Sequence, residues 1–410
     1  MAATTAHTAD VAVLGDGVVG AAVTHHLAAR GARVTLVAPG RAHPHSATRR
    51  TAAQVRVHHG DPDAARLAAL SLPTWREWPR AVGGDCGFRR TGFAFLCGPD
   101  EVPALHRSVA ELTGLGVETA VLDPAEFAAG QPALDLRGVA AVAVEPHGGY
   151  ADPALARDGY LRRARDRGAR LVTAAGGAAL VRRGERGVRV VAGSAEVSAG
   201  HVVLAAGAWS GAVLAGLRGT GREGAPGGGA DRGAAALAAA LRARRYGWAL
   251  ADTPAADALC MVIDGVAGTY FRPHSGGRVL FRVPLPSATA AAPPAHDPGT
   301  AVTAPEVAAG RELAARRLPD LAAAPVTAAT AGWESCSADG RPLIGPAPGL
   351  PGLYLATGFS GGGFKTAPAV GRAVAAELLS GAERAELAPY RPERFVTGSP
   401  RPVSPRYRHL

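Results

Sequence analysis

Val11-Ala12-Val13-Leu14-Gly15-Asp16-Gly17-Val18-Val19-Gly20 is the stretch that decides the fold. An apolar strand runs into a glycine turn, and an apolar helix pattern follows until Gly31 stops it after Arg30. Arg33 to Val37 then reads as a second strand, which completes a β-α-β unit. In such a unit one glycine makes the tight turn, a second lets the backbone approach a pyrophosphate, and a third lets helix pack on strand. Gly15, Gly17 and Gly20 fill these places, with Asp16, Val18 and Val19 between them. The free N–H groups of the helix start carry the partial positive charge that phosphates need. One element is missing. No acid stands about 20 residues on to hold ribose hydroxyls, for the second strand ends Val37-Ala38-Pro39-Gly40-Arg41. Arg41 could meet a ribose phosphate instead, so these residues alone leave an NADP site and a flavin site both open.

Two further stretches repeat the strand, small-residue turn and helix pattern. His201 to Ala206 ends in Gly207-Ala208-Trp209-Ser210, and Gly352 to Thr357 leads through Gly358 to Gly363 into a helical run from Phe364 to Ser380. Three such units far apart in sequence predict one parallel sheet assembled from separated segments. Between them, Gly92-Phe93-Ala94-Phe95-Leu96 and Thr269-Tyr270-Phe271-Arg272-Pro273 alternate as antiparallel strands do, and are read as one substrate lobe inserted twice. Gly219 to Ala240, rich in Gly and Ala, reads as a mobile loop with some helix, and Ala288 to Ala304 as a connector.

The 410 residues, 47% of them hydrophobic, suffice for a large core. Met1 to Asp10 lacks the basic start of a secretory leader, and no apolar run reaches the roughly 18 residues of a membrane span. Cys86, Cys97, Cys260 and Cys336 show neither CxxC pairing nor zinc-like spacing, which predicts a cytoplasmic protein without a metal site. The net charge of +10 is spread along the chain with no nucleic-acid-binding motif, so nucleic acid is not an expected partner. Among 44 basic residues only Lys365 is lysine. An ammonium kept where arginine is otherwise universal singles that residue out.

The chain resembles the D-amino-acid oxidase-like flavoenzymes, which include glycine oxidase, sarcosine oxidase and D-amino-acid dehydrogenases. The resemblance covers nearly the full length. It is carried by Ser46-Ala47-Thr48-Arg49-Arg50-Thr51-Ala52-Ala53-Gln54-Val55-Arg56, by Gly148-Gly149-Tyr150-Ala151-Asp152-Pro153 and by Leu204 to Ser210. Most specific is the ending, Asp339-Gly340-Arg341-Pro342-Leu343-Ile344-Gly345-Pro346 followed by Gly352-Leu353-Tyr354-Leu355-Ala356-Thr357-Gly358-Phe359-Ser360-Gly361-Gly362-Gly363-Phe364-Lys365. The resemblance implies an α/β fold: a discontinuous Rossmann-like FAD-binding domain (1–87, 141–218 and 326–396), a mainly antiparallel substrate domain (88–140 and 219–325) and a flexible tail (397–410). It implies non-covalent FAD lined by Ser46, Thr48, Gln54, Val55, Gly207, Trp209, Gly358, Ser360, Gly361, Gly362, Gly363, Phe364 and Lys365.

The function so implied is oxidation of the C–N bond of an amino acid or secondary amine: a hydride passes to flavin N5, an imine results, and dioxygen or another acceptor takes the electrons. Independently, a helix start aimed at a flavin's pyrimidine edge would stabilise the negative charge of the reduced ring. In sarcosine oxidases residues matching Lys365 and Arg56 grip the substrate carboxylate, which would orient its α C–H. The plain alternative for Arg56 is one surface arginine among many. Two departures stand out. Glu334 replaces the carboxylate-binding arginine of glycine oxidases, and it either meets a cationic substrate group or pairs with an arginine at the surface. No second lysine remains to activate dioxygen, leaving Arg272, Arg278 or Arg282, or another acceptor. Gly332 stands where sarcosine oxidases carry the flavin-linking cysteine, so Cys336 is expected to be a buried thiol. Tyr270 and Arg272 lie on a strand expected to cover the flavin, and His58 and His59 could line the pocket. The alternatives are a D-amino-acid dehydrogenase with a non-oxygen acceptor, an NADP-dependent reductase and a noncatalytic flavin-binding subunit.

Overall fold

The computed structural model describes residues 5–39, 44–174, 177–182, 188–217, 229–286, 289–293 and 301–403. The three glycine-ended units do share one sheet. Strand Ala195–Leu204 is flanked in parallel by Thr5–Leu14 on one side and by Leu353–Thr357 on the other. Val34–Ala38 and Arg170–Thr173 extend the sheet in parallel beyond Thr5–Leu14. The segments 11–14, 34–38, 202–204 and 353–357 of these strands are buried on both faces, which is why they read as unbroken apolar runs. Helix Val18–Ala28 and helix Gly363–Ser380 follow the first and last of them and pack together on one face. A β-carbon on Gly371 would lie 2.7 Å from the backbone of Ala22, so only glycine permits this approach.

The second sheet has nine strands among the described residues. Leu241–Asp252 lies antiparallel to Arg278–Val283 and to the long strand Val326–Ser337. Thr269–His274 and Met261–Asp264 continue it antiparallel. At Phe93–Cys97 the pattern changes, since that strand runs parallel to Met261–Asp264 and antiparallel to Ala141–Glu145. Alternation shows that a strand is half buried, not which way its neighbour runs, hence the unexpected parallel pair. Strands Ala141–Glu145 and Val326–Ser337, assigned from sequence to the nucleotide segments, hydrogen-bond in this sheet. A buried ion pair, Arg317 to Asp264 at 2.7 Å, ties its two chain insertions, because Arg317 also donates to the carbonyls of Asp135 and Arg137.

Of the stretches Gly219 to Ala240 and Ala288 to Ala304, 219–228, 288 and 294–300 lie outside the described residues, while Gly229–Ala239 is the helix expected within the first. The chain beyond Phe395 is anchored as far as Val403: Arg401 N–H and Val403 N–H donate to the Asp339 side chain and carbonyl. A proline-rich composition hides such anchorage, which depends on one distant carboxylate. No helix of the described residues is long and apolar enough to cross a membrane.

Asp339 also accepts from Arg394 Nε at 2.6 Å and Nη2 at 3.0 Å, with both side chains nearly inaccessible. Burial pushes its carboxyl up, but the Arg394 bonds and charge outweigh this and hold it below the usual range. The resulting stability is present above the unfolded carboxyl pKa and is lost as pH falls through the lower folded one. Asp339→Ala leaves Arg394 buried without its partner. It is expected to cost about 3–5 kcal/mol in urea unfolding at neutral pH, a deficit that narrows toward acid pH.

Candidate active site at the start of the last helix

The first glycine loop has little room for anything else. Gly15 sits at φ 114°, and a β-carbon on Gly20 would lie 1.9 Å from the Gly15 carbonyl oxygen. Gly17 precedes helix Val18–Ala28, which has no side-chain cap from its own N-cap residue; instead Val18 N–H donates to Thr48 Oγ1 at 3.0 Å. Val19 is buried beside it. Asp16 pairs with Arg157, whose Nε donates to the Asp16 carbonyl at 2.8 Å. Thr48 thus fastens the segment after Ser46 to the nucleotide-binding helix. Ser46 bridges to Trp333, whose N–H donates to the His45 carbonyl at 2.9 Å, so the same segment also touches the second sheet. Arg41 lies outside the described residues, and Ala38 ends its strand with no acid.

Strand Leu353–Thr357 leads into a loop bent by left-handed residues: Gly358 at φ 72°, Ser360 at 48° and Gly361 at 89°. Ser360 is one of two such non-glycine residues among those described, a strain found most often at functional sites. Its N–H donates to the Ser335 carbonyl at 2.9 Å. Gly362 then starts helix Gly363–Ser380 with no side-chain cap and no acid in the first turn. That leaves the amides of its first turn and their partial positive charge uncompensated by side chains. Gly207, at φ 54°, lies beside this loop, its carbonyl accepting from Thr357 Oγ1. Trp209 packs with Ala208, Ala243 and Trp333.

Phe364 stacks on Trp75 at 4.8 Å between centroids, and Trp75 Nε1 donates to the Lys365 carbonyl at 3.0 Å. Both backbone positions are therefore fixed by helix Pro62–Arg76. The Lys365 side chain is buried and makes no hydrogen bond or ion pair with the described residues. Burial and the nearby charge of Arg56 push its pKa well below the ordinary lysine value, with Glu334 opposing them. Both effects work against the positive charge expected at this position. Arg56 is buried too, donating to the His58 carbonyl and lying 5.4 Å from the Phe93 ring centroid. The surface-arginine alternative is excluded by that burial.

Sheet register sets Glu334 opposite Arg244, and Oε1 accepts from both Nε at 2.9 Å and Nη2 at 2.6 Å. Glu334 is buried, so its pairing with an arginine is not the expected surface contact. Tyr270, whose hydroxyl is pushed up to about 12 by burial, feels the charges of Arg282 and Glu334. Arg272 is committed elsewhere: it donates to the Ala52 and Pro273 carbonyls at 2.6 and 2.8 Å and stacks on Tyr150 at 4.0 Å. Arg278 and Arg282 donate to the Ser275 and Gly268 carbonyls. Burial, aided by Arg56, lowers His58 to about 3, which makes it a neutral core residue at ordinary pH. Burial lifts the Cys336 thiol to about 12, and Gly332 has Arg50 Cβ only 2.7 Å from where its own β-carbon would be. Gln54 and Val55 pair with Tyr150 and Gly149; Gln54 Nε2 is buried without a hydrogen-bond partner. Glu145, which no motif in the sequence marks, accepts from Val57 N–H at 2.9 Å and from His58 N–H. Only contacts across some 90 residues reveal it. A cavity of about 440 Å³ lined by Phe93, Glu118, Glu126 and Glu145 does not reach the glycine loops.

The sequence profile of the FAD dependent oxidoreductase family matches residues 10–377. The chain belongs to that family. A Bos taurus protein, FAD-dependent oxidoreductase domain-containing protein 1, is 27% identical over 95% of this chain and 85% of its own length. Glycine oxidase of Pseudomonas aeruginosa is 32% identical over 52% of this chain and 50% of its own. In fold, L-proline dehydrogenase from P. horikoshii superposes with a TM-score of 0.80, covering 96% of this chain and all of that one at 24% identity. FAD is accordingly the cofactor, and the nicotinamide alternative raised by Ala38 and Arg41 gives way. The residues present fit it: a crowded glycine turn at one helix start, an uncapped second helix start, and Gln54 Nε2 in want of an acceptor.

Gly20→Ala pushes a methyl against the Gly15 carbonyl. Overpacking of about 1–3 kcal/mol is expected to open the loop, giving protein with native far-ultraviolet dichroism but without the visible absorption of flavin. Retention of full flavin content would count against the loop as the pyrophosphate cradle.

Proposed function

We propose that this enzyme oxidises the C–N bond of an amino acid or secondary amine that carries a carboxylate. FAD, when bound, supplies acceptance of a hydride from the carbon next to nitrogen at its N5, leaving an imine. Gly15, Asp16, Gly17, Val18, Val19 and Gly20 are assigned to the pyrophosphate; Ser46, Thr48, Gln54, Val55, Gly207 and Trp209 to the body of the cofactor. Gly358 and Ser360 to Phe364 are assigned to its pyrimidine edge, where uncapped amides meet negative charge.

The carrying observation is Lys365, a buried ammonium-bearing side chain with no anion bonded to it and Arg56 beside it. A substrate carboxylate supplies the missing charge, and two donors set its orientation. The Gly361 position lies near Glu334, since a β-carbon there would be 3.7 Å from Oε2. With Oε1 held by Arg244, Oε2 is the oxygen available to a substrate's amine end. Tyr270 is assigned to the apolar cover of this space, and Arg272 to holding the Ala52 backbone beneath it. The partial glycine oxidase relative supports a small carboxylate-bearing amine.

A second reading concerns the electron acceptor. Arg272, Arg278 and Arg282 already bond backbone carbonyls, which favours an acceptor other than dioxygen, as in D-amino-acid dehydrogenases. Hydrogen peroxide production well below one per turnover, with an artificial dye restoring rate, is the expected outcome; stoichiometric peroxide would exclude it.

Anaerobic mixing with glycine, sarcosine, proline-like and D-amino acids is expected to bleach the flavin for at least one of them, and for none of the decarboxylated amines. Because carboxylate binding draws a proton onto Lys365, affinity should fall as pH rises above the lysine's depressed pKa, by up to about tenfold per unit. Lys365→Ala is expected to weaken the carboxylate about tenfold or more and to abolish that slope. An unchanged rate and affinity would remove Lys365 from the site.

A further inference from the structure

Resting on the assignment of Arg56 to the substrate carboxylate, we infer that Glu145 is the residue that positions Arg56 for it. The three-stranded sheet containing Gln54–Val55 stops at the Val55–Gly149 pair, so the next backbone donors leave the ladder inside the protein. Val57 and His58 are both buried, and a buried N–H without an acceptor is costly. Glu145 takes both: Oε2 accepts from Val57 at 2.9 Å and Oε1 from His58. This fixes the two peptide planes that lead into His58, and the His58 carbonyl, one peptide further on, accepts from Arg56 Nη1. The circuit closes through Phe93, which stands opposite Glu145 in the sheet register and lies under the Arg56 guanidinium. Arg56 is thereby held on one side by the segment that the Glu145 carboxylate anchors and on the other by the ring that the same strand pairs with.

Glu145 has no other task among those the site requires. It lies outside the glycine loops and reaches Arg56 in two ways, through the Val57 and His58 amides and through the attraction of its carboxylate for the guanidinium. A glutamine in its place keeps the shape but presents an N–H₂ group to one of the two N–H donors. That repulsion shifts the His58 carbonyl and with it the guanidinium.

The test is a double-mutant cycle on the FAD-loaded enzyme, with propionate as probe and the flavin absorbance change as readout. Arg56→Ala should weaken propionate strongly. Glu145→Gln should weaken it about tenfold while flavin content and melting temperature show folded protein. The double variant should bind no more weakly than Arg56→Ala alone, because a residue acting through Arg56 has nothing left to position. Additive losses, or wild-type affinity in Glu145→Gln, would overturn the inference while leaving Arg56 in its role. Wild-type affinity in Arg56→Ala would instead overturn the assignment of Arg56 on which it rests. Should Glu145→Gln fail to retain FAD, Glu145→Asp, which keeps the charge with a shorter reach, is put through the same cycle with the same non-additive result expected. Additivity there overturns the inference equally.

Discussion

The contact between Gly371 of the last helix and Ala22 of the first governs the rest of the molecule. Each helix follows a strand of one parallel sheet, so packing them against each other brings two helix starts to the same sheet edge. One start is crowded by Gly15 and Gly20 and suits a pyrophosphate; the other is uncapped and suits the negative edge of a reduced flavin. A dinucleotide long enough to reach from one to the other is what such a pair of sites selects.

Charge is arranged around that edge with unusual economy. Arg56 and Lys365 lie buried near each other, and the nearest carboxylates are already engaged: Glu334 by Arg244, Glu145 by two backbone amides. In the proposed reading, a substrate carboxylate is the further anion that this pair of cations takes. The lysine is the adjustable member, because an ammonium sheds its proton under burial and repulsion where a guanidinium does not. In the proposed reading, that is the property for which the single lysine is kept.

Much of this was legible in the sequence because it depends on local patterns. The three glycine-ended strands declared the parallel sheet, and the run from Gly358 to Lys365 declared the last helix and its open start. What stayed hidden depends on contacts between distant segments. The parallel pairing of Phe93–Cys97 with Met261–Asp264, the Glu334–Arg244 pair and the anchoring of the tail on Asp339 join residues that carry no mutual signal in the chain. Arg272 shows the same limit from the other side: its residue type suggested a cation for dioxygen, and only its bonds to Ala52 and Pro273 reveal a structural task.

The account stands or falls on where the isoalloxazine ring lies. A crystal structure of the protein with FAD should show its pyrimidine edge accepting hydrogen bonds from the amides at the start of helix Gly363–Ser380, with Arg56 and Lys365 facing one common space beside the ring. A flavin bound with that helix start pointing away from it, or with Arg56 and Lys365 separated by the ring's own bulk, would contradict it.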